Sequence, residues 1–200
     1  MKNIKTIIAL LLAPLVVAAC SGILTSDEPP RQEYLLMPLP PVTLPAATPA
    51  PSVSLSVSAV PGLDSNQVLA LGSDARLSHY ANARWADHLP EVLTSVLRRS
   101  LTATGHFSKV DGSSFSREAN WVITLEAQAF YGIRSAGGDT TSVQVRLAGS
   151  VRCGDASEPL SLESSTRVSD QHLAAVVAAH QSGLDDATRQ LLIQLEERCG

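Results

Sequence analysis

Three cysteines and five histidines carry the most distinctive chemistry in this 200-residue chain: thiols for disulfides or metals, imidazoles for metals or proton transfer. Cys153 and Cys199 stand in no Cys-x-x-Cys or Cys/His spacing, so neither reads as a zinc or redox site. His79, His88, His106, His172 and His180 are scattered, and no two have metal-ligand spacing with a third ligand in sight. His88 and Glu91 form an i, i+3 pair that contributes about 0.3 kcal/mol on a helix surface. His180 falls on an apolar helix face, where a tolerated core residue is expected rather than a ligand. No serine sits in a Gly-x-Ser-x-Gly elbow, and no Gly-rich phosphate loop precedes a helix. A triad or carboxylate pair would have to be assembled purely in three dimensions. The chain is therefore expected to be no enzyme, with no cofactor and no metal.

Cys20 owes its interest to the residues before it. Lys2 and Lys5 begin the chain, Ile7 to Val17 are apolar apart from Pro14, and the stretch closes Val17-Ala18-Ala19-Cys20. Charge, apolar run and small residues in that order make a secretory signal over residues 1–19. The run is too short to span a bilayer as a helix, which needs ~20 residues. A small-residue exit onto a cysteine resembles a bacterial lipobox. That resemblance implies cleavage before Cys20, a diacylglyceryl group on its thiol and acylation of its amine, so Cys20 is the lipid anchor. One chain anchors marginally and several anchor stably, at about 0.8 kcal/mol per buried methylene. Ser21 stands where an aspartate would resemble an inner-membrane retention signal, which implies the outer membrane and a domain facing the periplasm.

Acylation of Cys20 would leave Cys153 and Cys199 as the remaining pair, and an oxidising compartment permits their disulfide. On the chain-entropy model that bridge would contribute up to roughly 4 kcal/mol. Two buried free thiols are the alternative.

Composition excludes other classes. Without Lys2 and Lys5 the 15 basic side chains fall to 13, against 19 acidic, a net of −6. Lys109 is then the only lysine and Arg98-Arg99 the only adjacent basic pair, so no nucleic-acid footprint is present.

The elements that position these residues can be read from patterning. Residues 20–52 form a lipidated linker, and eight of the twelve prolines lie between Ser21 and Ser52. Proline fixes φ and donates no ladder bond, so an extended spacer reaching up to roughly 90 Å is expected. Tyr34-Leu35-Leu36-Met37 is too apolar for a free spacer; residues 34–37 are a candidate docked strand, which would halve the reach. Residues 53–200 form the folded domain. Val53, Leu55 and Val57 alternate with serines as in a half-buried strand. Short strands are expected over 67–71 and 75–80 around a Gly72–Asp74 turn, and another over 107–110. A helix comes after Asp87 as N-cap, with Pro90 in its first turn and Leu89, Val92, Leu93, Val96, Leu97 and Leu101 on one face up to Gly105. Alternation from Trp121 to Ala129, from Val143 to Val151 and from Leu160 to Val168, with Gly/Asp turns between, predicts an antiparallel meander. A long helix begins near Ser169 or Asp170 and presents Leu173, Val176, Val177, His180, Leu184, Ala187, Leu191 and Leu195, with Gly183 weakening its middle. The fold class is α+β: one domain, a mixed, largely antiparallel sheet, two helices on one face, and a lipidated proline-rich tail. Trp85, just before Asp87, is expected to pack onto the first helical turn; an exposed partner anchor is the alternative.

The segments together resemble the ABC-type transport auxiliary lipoproteins, PqiC-like partners of MCE-domain proteins. The resemblance rests on the lipobox at Cys20, Tyr34-Leu35-Leu36 with Pro38 shortly after, the run Pro61-Gly62-Leu63-Asp64-Ser65-Asn66-Gln67-Val68, the Trp85 to Leu101 helix and the Ala/Val-rich helix from Leu173. It implies an accessory and tethering role: docking an MCE-domain conduit of an ABC lipid transport system to the outer membrane. Trp85, Leu63 and Asp64 are then the candidate partner contacts. Several copies on one assembly would amplify affinity, with homo-oligomerisation left open. The alternative from another class is an outer-membrane lipoprotein that regulates a periplasmic peptidoglycan synthase.

Overall fold

Trp121, Ile123, Leu125 and Ala127 all turn to one side of their strand because side chains alternate across a pleat, and burying that side builds the domain. The structure, a computed structural model, describes residues 32–42, 48–112 and 119–199; the signal segment and Cys20 lie outside the described residues. Eight strands form one sheet: β1 (Gln32–Tyr34), β2 (Ser52–Ala59), β3 (Gln67–Leu71), β4 (Leu77–Trp85), β5 (Lys109–Asp111), β6 (Trp121–Arg134), β7 (Thr140–Cys153) and β8 (Ala156–Arg167). The β6–β7–β8 meander supplies the two long antiparallel ladders. Ala127 faces Leu147 and Ala129 faces Arg146, so Gln128 is an extra residue in β6. That bulge flips the strand's phase. Phe130, opposite Val145, therefore continues the buried row that the odd-numbered residues began.

The other edge of β6 makes the sheet mixed. β2 runs parallel to its first half, β5 parallel to β2, and β3 parallel to its end through Ala70 and Gly132. β4 is antiparallel to β3, and β1 lies parallel to β4. The strand expected to stop at Tyr80 continues to Trp85. Asn82 adopts φ 59°, and the register steps from Leu69–His79 to Gln67–Arg84. Asparagine tolerates that left-handed conformation better than most residues. Beyond it Ala83 and Trp85 enter the core.

Two helices cover one face. α1 (Leu89–Ala103) buries Leu89, Leu93, Val96, Leu97 and Leu101 and packs on β2 and β5. Its N-cap is His88, not Asp87; the Asp87 carboxylate instead accepts the His88 N–H at 2.8 Å. α2 (Leu173–Cys199) packs on β7 and β8. It starts after Asp170, whose carboxylate accepts the His172 N–H at 2.7 Å. That bond, and after it the ring contact of His172, holds Asp170 below its ordinary pKa. Gly183, expected to weaken α2, is buried where a Cβ would lie 2.9 Å from Val145 Cγ2, so its bareness lets the helix approach β7. Leu173 and Val177 are only half-buried, whereas Ala179, Thr188 and Leu192 are buried beside the expected residues. Cys153 and Cys199 are joined, with Cα atoms 5.7 Å apart, pinning the last turn of α2 to the end of β7.

The linker expected over 20–52 ends early. β1 pairs Tyr34 with Trp85, and the next residues run as a strap over both helices. Leu36 and Leu39 enter the core, the Leu39 N–H reaches Ser100 Oγ at 2.9 Å, and the Gln181 amide pairs with both N–H and C=O of Met37 at 2.8 and 3.0 Å. Among the described residues the folded unit thus takes in Gln32 to Leu39 as well as the residues from 53 on. The apolar run 34–37 marks the docked stretch, but the strand itself is Gln32–Tyr34 and residues 35–37 follow it without ladder pairing; Leu39 lies among prolines and gives no cue.

Candidate partner-docking surface

The turn Pro61–Asn66 is shaped by its own backbone. Leu63 N–H donates to Val60 O at 2.8 Å, and Ser65 N–H donates to Leu63 O at 2.8 Å. Its carbonyls in turn hold the entrance to α1: Leu89 N–H donates to Ser65 O at 3.0 Å, and Trp85 N–H to Asn66 O at 2.7 Å. One free donor of the α1 N-terminus is thereby satisfied without a side-chain cap. Leu63 itself is 2% exposed and Trp85 1% exposed. Neither side chain reaches a partner; both are corrected from candidate contacts to core residues, because the bulge in β4 and the turn aim them inward. Trp85 meets Phe130 edge-on at 5.7 Å and His180 at 5.3 Å between ring centroids, so its packing is central rather than confined to the first turn of α1. Asp64 alone of the three is exposed, with Oδ1 3.3 Å from His88 Nδ1.

The surface above this core is set by the strap. Leu36 and Leu39 point in, so Leu35 and Met37 point out, 72% and 59% exposed. Between the strap and α1 lies a groove of about 160 Å³, lined by Tyr34, Leu35, Val92, Ser95 and Arg99 and rimmed by Asp87 and Glu91. Its floor is apolar, and charges of both signs stand at its rim. A second, open recess of about 400 Å³ lies where the Gly72–Asp74 turn meets Arg134, whose guanidinium sits 4.8 Å above the Tyr80 ring.

The histidines stay apart. His106 packs among Phe107 and Trp121, and His180 is wholly buried with Nδ1 2.9 Å from the Val176 carbonyl. Burial pushes the His180 pKa down to about 4. Among the described residues no three His, Cys, Asp or Glu side chains gather to hold a metal. No helix of the described residues is long and apolar enough to cross a membrane.

Comparison with known proteins identifies the fold and family. A crystal structure of protein XCC0632 from Xanthomonas campestris, family-model DUF330, superposes with a TM-score of 0.64 at 19% identity, covering 82% of this chain and 94% of that one. A crystal structure of a protein described only as uncharacterized gives 0.65 at 15% identity, covering 84% and 99%. No curated protein sequence matches. The family model for the ABC-type transport auxiliary lipoprotein component matches residues 34–191, from the first docked residues of the strap to the last turns of α2. The chain belongs to the ABC-type transport auxiliary lipoprotein family.

Proposed function

We propose that this chain is an outer-membrane lipoprotein that serves, without catalysis, as the accessory and tethering subunit of an MCE-type ABC lipid transport system in the periplasm. The observation that carries the reading is the family match over the whole folded unit. The strap adds a physical constraint. From Cys20 to Gln32 the chain has twelve residue steps, a contour of roughly 40 Å at most. An acylated Cys20 would hold the domain that close to its leaflet, well short of the roughly 90 Å of an undocked spacer. A conduit partner must therefore come to the membrane to meet it. The short reach also counts against a regulator that crosses the cell wall to find its synthase.

The test is crosslinking in intact cells, purification through a C-terminal tag and mass spectrometry of the captured proteins. Recovery of an MCE-domain protein is the expected result. A peptidoglycan synthase recovered without any MCE protein would overturn the reading.

A further inference from the structure

Among the described residues β8 is an edge strand, pairing with β7 alone, and an edge strand exposes backbone groups that invite another strand. In the β7–β8 ladder alternate residues turn both N–H and C=O away from β7. Ser161 and Glu163 are two of them, and neither is open. The Gln190 amide accepts from Glu163 N–H at 2.9 Å and donates to Glu163 O at 2.7 Å. The Gln194 amide accepts from Ser161 N–H at 3.4 Å and donates to Ser161 O at 2.8 Å. A primary amide sets its acceptor oxygen beside a donor N–H, the same pair a neighbouring strand would offer.

The spacing makes the match repeat. Four residues of helix advance ~6 Å, and two residues of strand advance ~6.7 Å, so glutamines at i and i+4 meet alternate strand residues. Helix and strand run in opposite directions, with 190 against 163 and 194 against 161. One step further along β8 the outward position is Pro159, which has no N–H to offer. One step the other way the outward position is Ser165, beyond the two glutamines, and the helix contact there is a side-chain one, the Ser164 hydroxyl donating to Asp186 at 3.3 Å.

We propose that Gln190 and Gln194, with Pro159, form a surrogate strand that closes the β8 edge against an added strand from a second copy of this chain. The proposal is independent of the function proposed above. Met matches Gln in length and keeps helix propensity while removing both hydrogen bonds. In the purified full-length protein, Gln190→Met is expected to raise hydrogen exchange at the Glu163 amide about tenfold, and Gln194→Met to do the same at Ser161. Gln190→Met with Gln194→Met should then self-associate with concentration by analytical ultracentrifugation, and adding Ser161→Pro should suppress that association by removing the outward N–H. Unchanged exchange in the single variants would overturn the closure. Absence of association in the double variant, or association that survives Ser161→Pro, would overturn its role against strand addition.

Discussion

His180 is 0% exposed on α2, its Nδ1–H is committed to the Val176 carbonyl, and Nε2 has no hydrogen-bond partner. Protonating Nε2 would place a charge beside the rings of Trp85 and Phe130, which is why burial lowers the pKa from 6.5 to about 4. The unfolded chain therefore binds this proton before the folded one does. The stability contributed by a neutral His180 is fully present above pH ~6.5 and is lost as pH falls toward 4, at about 1.4 kcal/mol per pH unit. Between pH ~7.5 and ~4.5 the loss amounts to roughly 2–3 kcal/mol. His180→Leu removes the titration and the unpartnered nitrogen together. At pH ~7.5 its stability should lie within about 1 kcal/mol of the parent, because the lost Val176 bond is offset by relief of Nε2. Urea unfolding monitored by tryptophan fluorescence at both pH values measures the difference directly. The parent should lose roughly 2–3 kcal/mol more than the variant on acidification, whatever the carboxylates shared by both contribute. Equal losses in the two proteins would refute the reasoning.

Other outcomes rest on packing. Leu39→Ala should destabilise the domain by roughly 2–4 kcal/mol and Gln181→Met should speed proteolysis within 34–42, since Leu39 and the Gln181 amide hold the strap; equal cleavage rates would show the strap is held by other contacts. Gly183→Ala should lower the melting temperature despite alanine's helix propensity advantage of about 1 kcal/mol, because the new Cβ meets Val145. Reduction of Cys153–Cys199, which are separated by 46 residues, should reduce denaturant stability by up to roughly 4 kcal/mol, with exchange rising first in the last turns of α2. Deleting residues 38–51 should unfold the start of the domain rather than merely shorten a tether, since it removes Leu39 and the lead into β2; circular dichroism of the variant checks this.

The meander was legible because each of its strands has one buried face, and burial of one face imposes a period of two on the apolar residues. The α1 and α2 faces were legible for the corresponding reason at a period of 3.6. Periodicity names a strand's face but not its neighbour, so it could not show that β2, β3 and β5 enter parallel. Nor could it carry β4 past Tyr80, because a left-handed Asn82 breaks the alternation. The resemblance made Trp85 and Leu63 candidate contacts, although position alone favoured packing for Trp85; the turn and the bulge decide that both are core.

By itself the sequence determined the fold class and most of the elements, local patterns that neighbouring residues enforce on one another. It also set the one feature of the cysteines that spacing can show, that Cys153 and Cys199 form no metal motif. Only the tertiary structure decided that Leu36 to Leu39 dock on the helices, that Gly183 is a contact and not a flaw, and that Gln190 and Gln194 face a strand's backbone. A glutamine on a helix reads as a solvated face. Its amide becomes a surrogate strand only where a distant segment of chain, placed by the burial of Leu160 and Leu162, passes within hydrogen-bond reach.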